Sequence, residues 1–200
     1  MAAISLKAEK KKRDVVIIAY SKGVTDALHG LSLFPVVPSN IRALVAVAGV
    51  VAGTPIADGL TGAYDILLKD VPYKNCPPGD GGGVRSLSRA QQFAWLGQHK
   101  PPQSVRYYSL AAFVPHQRVN ALLKPFYTAL SYVDPRNDGQ VLIQDAIIPG
   151  STLLGYLNGD HWAVAIAFGR SDHPFWRRMI DHNDYPREVL LESILRYVGK

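Results

Sequence analysis

Residues 15–23 read VVIIAYSKG, and this stretch decides how the chain is read. Val15 to Ala19 is a continuous apolar run rich in β-branched residues. Such a run fits a strand buried on both faces of a parallel sheet. From Val24 the period changes: Val24, Ala27, Leu28 and Leu31 fall at helical spacing and form one apolar stripe. The proline-containing stretch 35–38 ends that helix. Residues 43–48, ALVAVA, give a second buried strand. Strand, helix, strand is a βαβ unit with a right-handed crossover. Ser21 stands at its first turn.

The remaining chain continues the alternation. Residues 53–104 contain the loop-rich segments GTPIADGLTG and CPPGDGGG, with short helical candidates at 64–69 and 87–96. They read as an insertion lying over the sheet. Residues 105–114 form a third strand candidate. Residues 119–132 read as helix, broken or kinked at Pro125. DPRNDGQ, residues 134–140, is a turn, and 152–157 a fourth strand candidate. Leu191, Ile194, Leu195 and Val198 give an amphipathic C-terminal helix. The expected fold class is α/β, a mostly parallel sheet flanked by helices, organised as one domain over 1–200 with a cap-like insertion at about 53–104.

Composition narrows the function classes. With 48% hydrophobic and 19% charged residues the chain is globular in type, which argues against disorder or a fibre. No apolar run approaches the roughly 20 residues of a membrane helix, and MAAISLKAEKKKRD lacks the apolar segment of a secretory signal. A cytoplasmic location and no transmembrane segment are therefore expected. Much of the formal charge of +6 sits in Lys7, Lys10, Lys11, Lys12 and Arg13. No aromatic residue interleaves with this run, so it reads as a solvated end, with no nucleic-acid partner expected. Cys76 is the one cysteine, which excludes an intramolecular disulfide and a cysteine zinc site. It reads as a loop thiol. His173 and His182 lie near Asp172, Asp181 and Asp184, but their spacing matches no standard ligand pattern. GDGGG, residues 79–83, lacks the Gly-Lys-Ser/Thr ending of a phosphate loop and reads as a flexible loop. No metal or cofactor is expected.

Ser21 carries the sharper signal. A-Y-S-K-G matches the nucleophile elbow G-x-S-x-G, with Ala19 in the first glycine position. The elbow is a tight strand-to-helix turn, and small flanking residues let strand and helix approach. It places the hydroxyl at a helix N-terminus, where N–H groups and the dipole favour developing negative charge. The plainer reading of Ser21 is an ordinary helix N-cap. A serine nucleophile needs a base, and the base needs an orienting carboxylate. Asp138 and then His161 follow in the chain order that the motif requires, in loops on either side of the fourth strand. Their plainer readings are a turn aspartate in Asn-Asp-Gly and a loop histidine. Asp134, Asp145 and Asp160 are rival carboxylates, although Asp160 adjoins His161 too closely to orient it.

Together AYSKG, AGVVAGTPIAD, NDGQV and DHWAVA resemble a bacterial α/β-hydrolase of the lipase and esterase type. The resemblance runs from about Val15 to the end. It implies Ser21 as nucleophile, Asp138 as acid, His161 as base, and the Lys22 backbone N–H as one oxyanion donor. It implies carboxylic ester substrates, small-molecule or lipid, cleaved through an acyl-enzyme. Segment 53–104 falls where such enzymes carry a lid. In that family several strands precede the nucleophile strand, and here only about fourteen residues do. The chain therefore reads as the C-terminal part of the fold, without the strand that supplies the second oxyanion donor. Losing one such donor typically costs roughly 10²–10³-fold in rate. The nucleophile strand would also keep an open edge, a surface for self-association. The competing expectation is a non-catalytic remnant or interaction module.

Overall fold

The computed structural model describes residues 14–33, 39–59, 81–167 and 185–199. Four strands, β1 (Val15–Tyr20), β2 (Ile41–Val47), β3 (Arg106–Ala112) and β4 (Thr152–Leu157), pair in parallel in the order β1-β2-β3-β4. Spatial order follows chain order, so each crossover returns over the sheet and every strand ends at the same edge. Helix α1 (Lys22–Leu33) links β1 to β2. A helical turn at 55–59, the short α2 (Gly82–Arg85) and α3 (Arg89–Gln98) lie between β2 and β3. Helix α4 (Lys124–Ser131) lies between β3 and β4, and α5 (Arg187–Val198) closes the chain.

The two sheet faces bury separate cores. Leu44 and Ala46 of β2 turn toward α1, where Val24, Ala27, Leu28 and Leu31 are all buried, with Trp95 of α3 packed beside them. The alternate residues Ala43, Val45 and Val47 face the other way, onto Ile194 and Val198 of α5. Strand β2 is flanked on both sides, which is why IRALVAV is apolar at every position except the exposed Arg42. The α1 stripe is the one its spacing implies. Fully burying each leucine in it contributes about 1.5–3 kcal/mol.

Four expectations change. Strand β1 is not buried on both faces: among the described residues it pairs with β2 alone, and Ile18 is 36% exposed. Ile18 lies on the face toward α5, where it lines an open groove with Val47, Val164 and Leu191. Residues 119–132 are not one helix. Asn120 Oδ1 accepts from Leu122 N–H and holds a turn, and α4 starts at Lys124. Pro125 lies in its first turn, where a missing N–H leaves no hydrogen bond unmade. In α5, Ile194 and Val198 are buried, while Leu191 and Leu195 remain about half exposed. The segment GDGGG ends by opening α2, with Gly81 at φ 72° just before it. The candidate helix at 64–69, Cys76, His173, His182 and the basic run at 7–13 lie outside the described residues. Among the described residues no helix is long and apolar enough to cross a membrane.

Candidate active site

The parallel sheet gathers the loops after its strands at one edge, the usual location of function in an open α/β sheet. Strand β1 runs into Ser21, which adopts φ 53°. That left-handed conformation costs a non-glycine residue roughly 1–2 kcal/mol. Helix α1 begins at the next residue, so the chain turns sharply and the hydroxyl stands at a helix N-terminus. Hydrogen bonds hold the strained turn. Ser21 N–H donates to Val47 O at 3.2 Å, and Ser21 O accepts from Val24 N–H at 3.0 Å and Val50 N–H at 3.3 Å.

The loop after β2 braces this elbow from above. Ala48 has φ 45° and donates its N–H to Leu110 O, which turns the chain over the elbow. The Thr25 hydroxyl donates to Val50 O. A Cβ on Gly49 would stand 2.9–3.0 Å from the Val24 side chain, so Gly49 permits the approach. The close approach expected at Gly23 is absent, since a Cβ there meets nothing within 4 Å. Steric need for glycine falls on the neighbouring loop.

Asp138 lies in a turn built by its own sequence. The buried Asn137 side chain donates to Ser131 Oγ and Asp134 O and accepts from Gly139 N–H at 3.0 Å. Gly139 takes φ 91°, with the Leu123 Cβ 3.0 Å from where its own Cβ would be. Asp138 Oδ1 accepts from Gln140 N–H at 2.9 Å and Val141 N–H at 2.7 Å. Its second oxygen is left for His161.

His161 is 1% exposed, and Asp138 also 1%. His161 Nδ1 lies 2.7 Å from Asp138 Oδ2, and Nε2 lies 2.8 Å from Ser21 Oγ. An ionised carboxylate only accepts, so Nδ1–H donates to Asp138. Nε2 is then left to accept from the serine hydroxyl. The main chain is held as well. His161 N–H donates to Asp138 O at 2.8 Å, and His161 O accepts from the Tyr20 hydroxyl at 2.6 Å.

Ser21, Asp138 and His161 are thus brought together. The rival carboxylates have other partners. Asp160 Oδ1 accepts from Trp162 and Ala163 N–H, and Oδ2 from Asn120 N–H at 2.8 Å. Burial pushes its carboxyl up, against those three N–H groups. Asp145 pairs with Arg89, its carboxyl pushed up mainly by burial. Asp134 pairs with Arg136, whose hydrogen bonds hold its carboxyl down. The Lys22 N–H is the first of α1 and has no carbonyl a turn earlier in the helix. Its ammonium pairs with Asp26. Among the described residues no cluster of three His, Cys, Asp or Glu side chains could hold a metal ion.

Tyr20, Asn137 and Gly49 have no role at this site in the sequence reading, and Asp160 enters it only as a rival carboxylate. Asn137 carried a signal in Asn-Asp-Gly. Tyr20 carried none, because its partner lies 141 residues away.

An apolar pocket of about 190 Å³ adjoins the Asp138 turn, lined by Thr54, Leu87, Phe126 and Gln140 among others. The Thr54 hydroxyl donates to Gln140 O at 2.6 Å at its wall.

No protein-family model and no curated protein match the chain. Solved structures do. A metagenomic carboxyl esterase is 42% identical with a TM-score of 0.86, the match covering 93% of this chain and 56% of the esterase. The chain thus spans little more than half the length of that relative. The mature form of a Bacillus licheniformis lipase is 17% identical, TM-score 0.64, with 97% of this chain and 70% of the lipase covered. A Staphylococcus hyicus lipase is 11% identical, TM-score 0.63, over 93% and 70% of the two chains.

Proposed function

We propose that this chain, whose fold is that of an α/β-hydrolase, cleaves carboxylic esters with Ser21 as nucleophile, His161 as base and Asp138 as its orienting acid. The observation that carries the reading is the continuous hydrogen-bond line from Ser21 Oγ through the imidazole to Asp138. The similarity to a carboxyl esterase at 42% identity supports the substrate class.

The steps balance. Ser21 Oγ attacks the ester carbonyl carbon as its proton passes to His161 Nε2. The carbonyl oxygen takes the negative charge, facing the Lys22 N–H and the N-terminus of α1. Asp138 holds the tautomer and stabilises the imidazolium. As the intermediate collapses, the alkoxide leaves with the proton from Nε2. Water then attacks the acyl-enzyme, gives a proton to Nε2, and releases the acid as Ser21 regains its hydrogen. The pocket beside Asp138 suits a modest apolar group, since a 150 Å³ apolar cavity is known to take benzene. The chain is read as one domain, with residues 53–104 as a cap. Within that cap, Arg89 is tied to Asp145 at 3.1 Å and meets Gly53 closely.

Intact-mass labelling with a fluorophosphonate tests the reading. Stoichiometric labelling of the chain, lost in Ser21→Ala, is expected. A folded protein that takes no label refutes it.

One observation favours a second reading, a module that acts within a larger assembly. Among the described residues β1 pairs along one edge alone, with Ile18 exposed, which offers a strand to pair. Sedimentation decides here: a monomer that labels fully needs no such partner, whereas a dimer that labels only when assembled supports it.

A further inference from the structure

Tyr20 precedes the nucleophile in AYSKG, and its side chain leaves the strand on the face opposite Ala19. There it shares a groove with Val47, Val164 and Ala165, between the end of β2 and the turn that carries His161. Its hydroxyl donates to His161 O at 2.6 Å, and its ring centroid is 5.0 Å from the imidazole. We propose that Tyr20 is a positioning residue: its phenol ties the His161 main chain to the same strand end that carries Ser21, and so sets the Nε2–Oγ distance.

The geometry is a closed ring. Ser21 is bonded covalently to Tyr20, Tyr20 is hydrogen-bonded to His161 O, and His161 Nε2 lies 2.8 Å from Ser21 Oγ. The other two contacts of His161, Nδ1 and N–H, both go to Asp138. Among the described hydrogen bonds of His161 itself, the Tyr20 tie is the one to the Ser21 strand that need not break and re-form in each turnover. The groups facing the phenol favour its neutral, donating form. Burial raises its pKa, and the nearby charges of Asp138 and Asp160 raise it further. The tie therefore persists across the pH range in which a histidine base works.

This inference rests on the proposed hydrolase reading, and its test separates the two. Tyr20→Phe keeps the ring and removes only the donor. Tyr107→Phe is the control, since that hydroxyl donates to Pro102 O at 3.2 Å, at the opposite end of the sheet. Fluorophosphonate labelling of Tyr20→Phe should slow roughly tenfold, the rate equivalent of one hydrogen bond. The control should label at the parent rate. The second readout needs no activity. The downfield Nδ1–H proton of His161, observed by NMR, should broaden through faster solvent exchange in Tyr20→Phe but not in Tyr107→Phe. An unchanged Nδ1–H signal, or unchanged labelling by a folded Tyr20→Phe, overturns the positioning role. If the parent chain itself fails to label, the hydrolase reading fails, and the proton signal still decides whether Tyr20 holds the imidazole.

Discussion

Asp138→Asn tests the chemistry of the site most directly, because the structure dictates how the new amide must sit. Asp138 Oδ1 accepts two backbone N–H groups, from Gln140 and Val141, at 2.9 and 2.7 Å. Only the carbonyl oxygen of an asparagine can replace it there. The NH₂ group is then forced to the place of Oδ2, 2.7 Å from His161 Nδ1. Two donors cannot face each other, so Nδ1 must give up its proton and accept. The imidazole proton moves to Nε2, which can then no longer accept from Ser21 Oγ. The swap is nearly isosteric and retains both turn bonds, so the fold should survive. The rate should not. Where a triad aspartate is replaced in this way, turnover falls by about 10⁴-fold, roughly 5.4 kcal/mol of transition-state stabilisation. The assay is the second-order rate of fluorophosphonate labelling, beside hydrolysis of a short chromogenic ester, with circular dichroism to confirm the fold. Asp138→Ala is the comparison. It loses the turn bonds and is less stable, but leaves the histidine tautomer free. A folded Asp138→Asn that keeps its rate to within about tenfold would falsify the tautomer reasoning, since one hydrogen-bond increment of about 1.4 kcal/mol would then account for the whole effect.

Three further outcomes are expected. Ser21→Gly and Ser21→Ala should both fail to label, but glycine should melt about 2–4 °C higher, because it relieves the φ 53° strain by roughly 1 kcal/mol net of its unfolded-state entropy. An alanine variant as stable as the glycine one would mean the elbow stores no strain. Gly53→Ala should lose about 2–5 kcal/mol in a denaturant titration, since φ is 82° and the new Cβ would lie 2.7 Å from Arg89 backbone atoms. A loss under about 1 kcal/mol would show that α3 shifts freely. Burial pushes the Tyr107 phenol up to about 12 and raises Tyr185 in the same direction. A raised folded-state value favours the protonated form, so this stabilisation is complete below pH of about 10 and is lost as pH rises toward about 12. Melting temperature should fall over that window, and less steeply in Tyr107→Phe. Equal slopes in the two proteins would remove Tyr107 from the account.

Much of the site was legible in the sequence because its signals are local. A β-branched run, a 3.6-residue stripe from Val24 to Leu31, and Asn-Asp-Gly each code for a conformation within a few residues. Chain order alone put Ser21, Asp138 and His161 in sequence, and parallel strands bring such loops to one edge. Asp160, a rival carboxylate on sequence, caps the turn after it through the Trp162 and Ala163 N–H groups.

What the sequence determined, then, was the alternation of strand and helix and the turn at Ser21, and it nominated three polar side chains for the candidate site. Only the tertiary structure decided which apolar residues are buried. Ile18 is as apolar as its neighbours in β1, and Leu195 as apolar as Ile194 in α5, yet Ile18 is 36% and Leu195 50% exposed. It also decided where glycine is required, at Gly49 against Val24 and not at Gly23, and brought the Tyr20 hydroxyl to His161 O. The physical reason is common to all three. Periodicity and turn chemistry depend on neighbours along the chain, whereas burial, close approach and a hydrogen bond spanning 141 residues depend on neighbours in space.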